Sequence, residues 1–233
     1  PREARPPRLD SAEAAPPGLR TVRPGETWAR YRSQVSSVLG AVRKVEKLDC
    51  GSDDLHVFWS GVNFAAPGRH LEDLRMGLRS QSSGKGRTEA AARASALGEA
   101  LERYSGVFHG DEPRRAARLA DLGDEAVDPR AWMEYSARQY AERERRNAEA
   151  MHWIPRPFDE AEELEWTPLW SLRDERWRWL PTALCYYSYH LPPGREPFGF
   201  SDSNGCAAGN TLEESVVSGF MELVERDAVA LWW

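Results

Sequence analysis

Glu99 and Glu102, with Ser95 before them and Arg103 after, recur as Glu222, Glu225, Ser218 and Arg226 at a constant offset of 123 residues. The same offset pairs Ser80 with Ser203, Gly86 with Gly209 and Thr88 with Thr211. Helix propensity asks for none of these polar residues at fixed places, so two copies of one polar pattern point to chemistry. On a helix, Ser95, Glu99 and Glu102 fall within an arc of roughly 60°, and Glu214, Ser218, Glu222 and Glu225 within roughly 80°. Carboxylates three or four residues apart repel. Brought together in a cleft, they must take up protons or share cations. Mg²⁺ answers that need, since it binds a few carboxylates together with substrate phosphates.

The residues ahead of each helix suit those phosphates. Gly84-Lys85-Gly86-Arg87-Thr88 and Gly205-Cys206-Ala207-Ala208-Gly209-Asn210-Thr211 read as Gly-bearing loops entering helix N-termini, where free N–H groups attract anions. Neither is a Walker A loop, because Gly84-Lys85 is followed by Gly86 and position 79 is Arg. Thr211-x-x-Glu214 also fits a capping box, which would make Glu214 a structural cap. The residues alone thus leave two readings open: solvated faces of amphipathic helices, or a nucleotide–Mg²⁺ site, which the repetition favours.

The elements that would position these groups follow from periodicity. Val216, Val217, Phe220, Leu223, Val224 and Leu231 form an apolar stripe opposite the second acidic face, expected to dock on a sheet or core. Ala94, Leu97 and Leu101 serve the first helix in the same way. Thr27 to Leu48 reads as helical, interrupted by Gly40, while His56 to Phe64 and Leu71 to Leu78 read as strands. Pro129 to Ala150 suits one helix capped by Asp128, with its Arg/Glu run a solvated face. Glu165 to Leu172 and Arg176 to Tyr187 alternate as a hairpin whose tryptophans and tyrosines fill a core. The sum is an α+β layered fold with two related halves, helices on a mostly antiparallel sheet and the nucleotide site between the halves.

Taken together, the motif segments from Gly84 to Ser105 and from Ser203 to Ala228 resemble the YcaO superfamily, and within it the SagD-type cyclodehydratase (D protein) of thiazole/oxazole-modified peptide biosynthesis. Tyr135-Ser136, Asn147-Ala148, Trp153-Ile154-Pro155, Trp166-Thr167-Pro168 and Leu180-Pro181-Thr182 agree with it, so that the likeness runs from about Thr21 onward. The resemblance implies an ATP- and Mg²⁺-dependent enzyme. In such enzymes a Cys, Ser or Thr side chain attacks the preceding amide carbonyl, ATP phosphorylates the resulting oxygen, and phosphate leaves an azoline ring. By motif position it places Ser95, Glu99, Glu102, Asn210, Glu214, Glu222, Glu225 and Arg226 in the nucleotide site, with Glu99, Glu102, Glu214, Glu222 and Glu225 toward the metal. It implies a precursor peptide as substrate, a leader-peptide-binding partner or domain, and admits a homodimer. Thioamide or amidine formation at the same nucleotide site, and a non-catalytic docking subunit, are the alternative readings. Residues 1–20 read as a disordered tail or linker and 21–233 as the N-terminal portion of a YcaO domain, because in the family a further nucleotide-contacting segment follows.

Composition bounds these readings. At 233 residues the chain can bury a real core, and a net charge of −6 with interspersed signs gives no footprint for nucleic acid. Cys50, Cys185 and Cys206 lack metal or redox spacing, and Cys206 has no histidine near it in sequence, so it reads as a small packed residue. His109 reads as a surface residue. No apolar run reaches membrane-spanning length and the N-terminus is unlike a signal peptide, so the expected location is the cytoplasm.

Overall fold

The computed structural model describes residues 20–63, 80–133, 135–149 and 153–233. They divide into two compact units, one built from residues 20–106 and 203–233 and the other from 107–202. Residues 1–19 of the expected tail (1–20) and the expected strand Leu71 to Leu78 lie outside the described residues, whereas Arg20 is described and bonds to Glu214 and the Ala208 carbonyl.

The first unit is a sheet covered by helices. α1 (Pro24–Tyr31) leads into β1 (Val42–Leu48), β2 (His56–Val62) and β3 (Gln81–Gly86), which pair antiparallel in the order β1-β2-β3. Val45 opposes Ser60, and Ser60 opposes Ser82. The helix expected over Thr27 to Leu48 therefore ends at Tyr31. Val42 and Val45 belong to a strand, where β-branched side chains pack on a pleated surface at less conformational cost than in a helix.

α2 (Glu89–Ser105) lies across this sheet, capped at Thr88, whose hydroxyl accepts from the Ala91 amide at 3.2 Å. Its inner row, Ala92, Ala96, Leu97 and Ala100, is buried against Val42, Phe58 and Val62. The segment read as a Gly-bearing loop is instead strand β3, and its glycines serve packing. A Cβ at Gly84 would stand 2.0 Å from the Ala96 nitrogen and 2.4 Å from the Ala92 oxygen. Gly84 lets strand and helix backbones touch, with the Ser60 hydroxyl donating to the Ala96 carbonyl at 2.7 Å across the same contact.

The second unit contains β4 (Arg115–Ala117), α3 (Leu119–Leu122), α4 (Ala137–Ala141), α5 (Arg143–Glu149), β5 (Leu164–Ser171) and β6 (Arg176–Pro181). β5 and β6 form the expected hairpin, Trp170 opposite Trp177, with β4 added antiparallel to β5. Trp166 is fully buried with Phe198, Leu122 and Leu164, and its Nε1 donates to the Ala117 carbonyl at 2.9 Å. The single helix expected from Pro129 does not form. Asp128 caps only a short 3₁₀ turn, and helix resumes at Ala137 behind a Ser136/Gln139 capping box.

The first unit is completed by α6 (Leu212–Trp232), capped at Thr211. Both copies of the sequence repeat therefore lie in one unit. The second copy keeps the helix, but residues 203–211 form no strand, so the two halves are related through their helices only. α6 also departs from its expected burial. Glu214 and Gly219 are its buried residues, whereas Phe220, Leu223 and Val224 are about half exposed or more and Trp233 is 95% exposed. Among the described residues most of its apolar stripe is left uncovered, although Leu223 packs against Gly205. None of the described helices is long and apolar enough to cross a membrane.

Candidate functional site

α2 and α6 bring their acidic faces to one cavity of about 630 Å³. Glu99, Glu102 and Arg103 line it from α2, and Glu214, Ser218, Glu222, Glu225 and Arg226 from α6, together with Arg20, Val217 and Met221. The helices stand apart because the 205–209 loop is wedged between them. Ala208 faces Gly98 of α2, and the Gly205 carbonyl lies against Gly219 of α6, where a Cβ would come within 2.4 Å of it. The second Gly-bearing segment is thus a spacer that sets the distance between the two acidic faces.

The electrostatics follow from that spacing. Each arginine pairs with the glutamate one turn before it, Arg103 with Glu99 at 3.5 Å and Arg226 with Glu222 at 3.3 Å. Glu102, whose side chain is only 16% exposed, has Arg103 no nearer than 4.0 Å. Burial pushes its carboxyl up to about 7; Arg103 and the Ala208 amide oppose this, while Glu99 and Glu222 add to it. Near neutrality Glu102 is poised between its protonated and charged forms.

Two residues expected in the site stand elsewhere. Ser95 is exposed on α2 and does not line the cavity. Asn210 also lies outside the lining: its Oδ1 accepts from the Thr27 hydroxyl at 2.9 Å, and its Nδ2 donates to Glu214 at 3.2 Å. Glu214 lines the cavity, yet its oxygens are occupied. Oε1 accepts from the Thr21 amide at 2.5 Å and the Thr21 hydroxyl at 2.7 Å. Oε2 accepts from the Asn210 amide at 2.9 Å and from Arg20 at 3.4 Å. Burial alone would raise this carboxyl, but these bonds from Thr21 and Asn210 outweigh it and hold it at about 2. The capping-box reading is half met: the Thr211 hydroxyl accepts from the Glu214 amide, while the Glu214 carboxylate turns to Asn210 and Thr21.

Arg20 and Arg103 complete the cavity without having been assigned to it from sequence. Arg103 was visible on the shoulder of the first acidic face. Arg20 carries no local signal, since it comes from the stretch read as a tail.

The donor set suits Mg²⁺ with a phosphorylated ligand. Among the described residues no three His, Cys, Asp or Glu side chains converge tightly enough to hold a metal by themselves. Glu99, Glu102, Glu222 and Glu225 are hard oxygen donors spread around a cavity with arginines on its rim. Such a set fits an ion that keeps waters and shares its ligands with phosphate better than one bound in a protein cage. A further cavity, of about 480 Å³ and lined by Trp132, Trp170, Asp174 and Arg178 in the second unit, offers less chemistry. Its Arg178 and Asp174 neutralise each other at 3.1 Å.

The family model described as YcaO cyclodehydratase, ATP- and Mg²⁺-binding, matches residues 83–233, a span that includes both helices. The chain belongs to the YcaO family. An uncharacterized protein of Methanothermobacter thermautotrophicus is 30% identical to this YcaO chain over 211 residues, 91% of this chain and 47% of its own length. A solved heterocyclase in complex with substrate and cofactor is 47% identical, with a TM-score of 0.88 over 98% of this chain and 30% of that one. The heterocyclase TruD is 57% identical over 60% of this chain and 21% of its own, with a TM-score of 0.57. YcaO from Methanopyrus kandleri, solved with AMPPCP and Mg²⁺, shares the fold at 22% identity and a TM-score of 0.56 over 89% of this chain. This YcaO chain spans about half the length of the curated relative it matches, and less than a third of each of the two heterocyclases.

Proposed function

We propose that this chain carries the two-helix nucleotide site of a peptide heterocyclase that uses ATP and Mg²⁺ to close azoline rings in a ribosomally made peptide, of the SagD type. The observation that carries this reading is the likeness to a heterocyclase solved with substrate and cofactor, 47% identical over 98% of the chain and therefore through both helices that line the cavity. The cavity chemistry supports it. In the proposed reaction a Cys, Ser or Thr side chain adds to the preceding amide carbonyl, and the oxygen so formed takes the γ-phosphoryl group of ATP, releasing ADP. Elimination of phosphate then leaves the C=N bond of the ring, so the lost water departs as a phosphate oxygen.

In this reading Glu99, Glu102, Glu222 and Glu225 hold Mg²⁺ directly or through water, and Arg226 meets phosphate oxygens with its planar fork. When bound, Mg²⁺ supplies charge neutralisation to the transferring phosphoryl group. Glu102 exchanges its proton for that cation. Glu214 and Asn210 tie the 205–211 loop to the start of α6, and Ser95 remains assigned by motif position alone.

The test is calorimetry of Mg²⁺–ATP with the full-length protein, comparing wild type with Glu99→Gln and Glu222→Gln. Each substitution is expected to weaken binding at least about tenfold, the loss of one good charge contact in a dry site. Unchanged affinity in both variants would refute the carboxylate assignment. Mass loss of one water per ring from a candidate precursor peptide, matched by phosphate release, tests the reaction. Sulfur incorporation in place of water loss would move the assignment to thioamide formation.

A further inference from the structure

The 205–209 loop that separates the two helices is seated on α6 at both of its ends. At the first end Gly205 has a φ of +81°, its carbonyl lies against Gly219, and a Cβ on it would meet the Leu223 side chain at 3.0 Å. The Cys206 amide tightens this end by donating to the Ser203 carbonyl at 3.0 Å. At the other end a Cβ on Gly209 would stand 2.6 Å from the Glu214 Cβ and 2.7 Å from the Ser215 nitrogen, so Gly209 lies flush on the first turn of α6. Between these anchors Ala208 reaches α2, where a Cβ on Gly98 would be 3.8 Å from the Ala208 Cβ. The Ala208 amide donates to the Glu102 carboxylate, and the Ala208 carbonyl accepts from Arg20 at 3.5 Å.

This donor differs in kind from those that meet the neighbouring carboxylates. Arg103 reaches Glu99 and Arg226 reaches Glu222 with full charge, and a guanidinium beside a carboxylate opposes the approach of a second cation. A main-chain N–H carries no net charge, and in a clamped loop it has little freedom to lose. It takes one of about four acceptor positions on the carboxylate and leaves the others for the cavity that Glu102 lines. α2 therefore supplies the carboxylate, while the loop seated on α6 supplies the group that points it. Around bound metals, outer hydrogen bonds of this sort fix the direction of a ligand, and losing one costs about 10–100-fold in affinity.

We propose that the Ala208 main-chain amide is a positioning group for Glu102, holding its carboxylate in the orientation that the cation of the cavity requires. The proposal rests on the metal–nucleotide reading and adds to it a part of the site that no side chain supplies. Gly98 belongs to the same arrangement. A methyl group there would sit at ordinary contact with Ala208, whereas a stiff β-branched side chain would crowd it away from Glu102.

Two measurements on the full-length protein test this role. The first needs no ligand: hydrogen exchange at the Ala208 amide is expected to speed up about tenfold in Glu102→Ala, the loss of one hydrogen bond to a carboxylate. Unaltered exchange overturns the proposal. The second is a double-mutant cycle that reads Mg²⁺–AMPPCP affinity by calorimetry. Ala208→Pro, which removes the amide hydrogen, is expected to weaken binding at least about tenfold in wild type and less than about twofold in Glu102→Ala, where the loop has no carboxylate left to aim. A loop that serves packing alone would weaken binding equally in both backgrounds, and that additivity overturns the proposal. Should Ala208→Pro fail to fold, Gly98→Ile carries the same cycle, with Gly98→Ala expected to bind within about twofold of wild type. If Mg²⁺–AMPPCP does not bind wild type, the metal–nucleotide reading and the positioning role fall together. If it binds and the two effects add, the positioning role alone falls.

Discussion

Replacing Glu102 by Gln should make the protein more stable while emptying the cavity of its purpose. The carboxyl is held at about 7 against an ordinary 4.5, chiefly by burial. At about 1.4 kcal/mol per tenfold, that difference amounts to about 3 kcal/mol favouring the neutral form. The sign follows from linkage. Between 4.5 and 7 the folded protein binds this proton more tightly than the unfolded chain, so stability falls as pH rises through that window and the cost is fully present above 7. Gln imitates the neutral form and can still accept from the Ala208 amide. Urea unfolding of wild type and Glu102→Gln is therefore expected to differ by up to about 3 kcal/mol at pH 8, the variant being the more stable, and to converge as pH falls toward 4.5. The same variant is expected to lose Mg²⁺–ATP affinity in calorimetry. A variant less stable than wild type at pH 8, or a gap that does not change with pH, would refute the claim that this carboxylate is buried at a cost for the sake of a cation.

Glu214 should behave in the opposite sense. Its carboxyl is held at about 2, so its contribution is present above 4.5 and is lost as pH falls through about 2. Glu214→Gln is expected to cost about 3 kcal/mol near neutrality, with the two unfolding curves meeting in strong acid. Gly84→Ala is expected to destabilise by about 3 kcal/mol or more and to weaken Mg²⁺–ATP binding, since the new methyl meets helix backbone at Ala92 and Ala96 and must push α2 off the sheet. Thermal unfolding and calorimetry check both effects, and an unshifted midpoint for Gly84→Ala would show that the strand–helix contact is looser than described.

The carboxylate faces were legible because they are a periodic property of one helix at a time. Glu99 with Glu102, and Glu222 with Glu225, needed only 3.6 residues per turn and a repeat. The same holds for the β5–β6 hairpin, whose alternation and charged turn are local. What stayed hidden depended on contacts distant in sequence. Gly84 and Gly86 look like loop residues until the strand they share is seen to lie against Ala92 and Ala96. Thr27 to Leu48 carries enough helix formers to mislead, and only pairing with β2 makes Val42–Leu48 a strand. Glu214 and Asn210 share a motif with the cavity-lining glutamates, but Thr21 and Thr27, nearly 200 residues earlier, engage them. Arg20 could not be assigned to the cavity from sequence for the same reason.

The wedge between the two helices makes the cavity a vice with unequal jaws. α2 is bolted along its length to a sheet, whereas α6 is located by Glu214 bonded to Thr21 and Asn210, by Gly219 against the Gly205 carbonyl and by Leu223 against Gly205. The gap between Glu102 and Glu222 is therefore gauged by the bulk of a few small residues in the 205–209 loop, none of which carries charge. Exchanging Ala207 or Ala208 for a larger side chain would reset the jaw opening by the width of a methylene and, in the proposed reading, the fit to an ion–phosphate pair. That fit would then be set by residues that line no part of the acidic cavity.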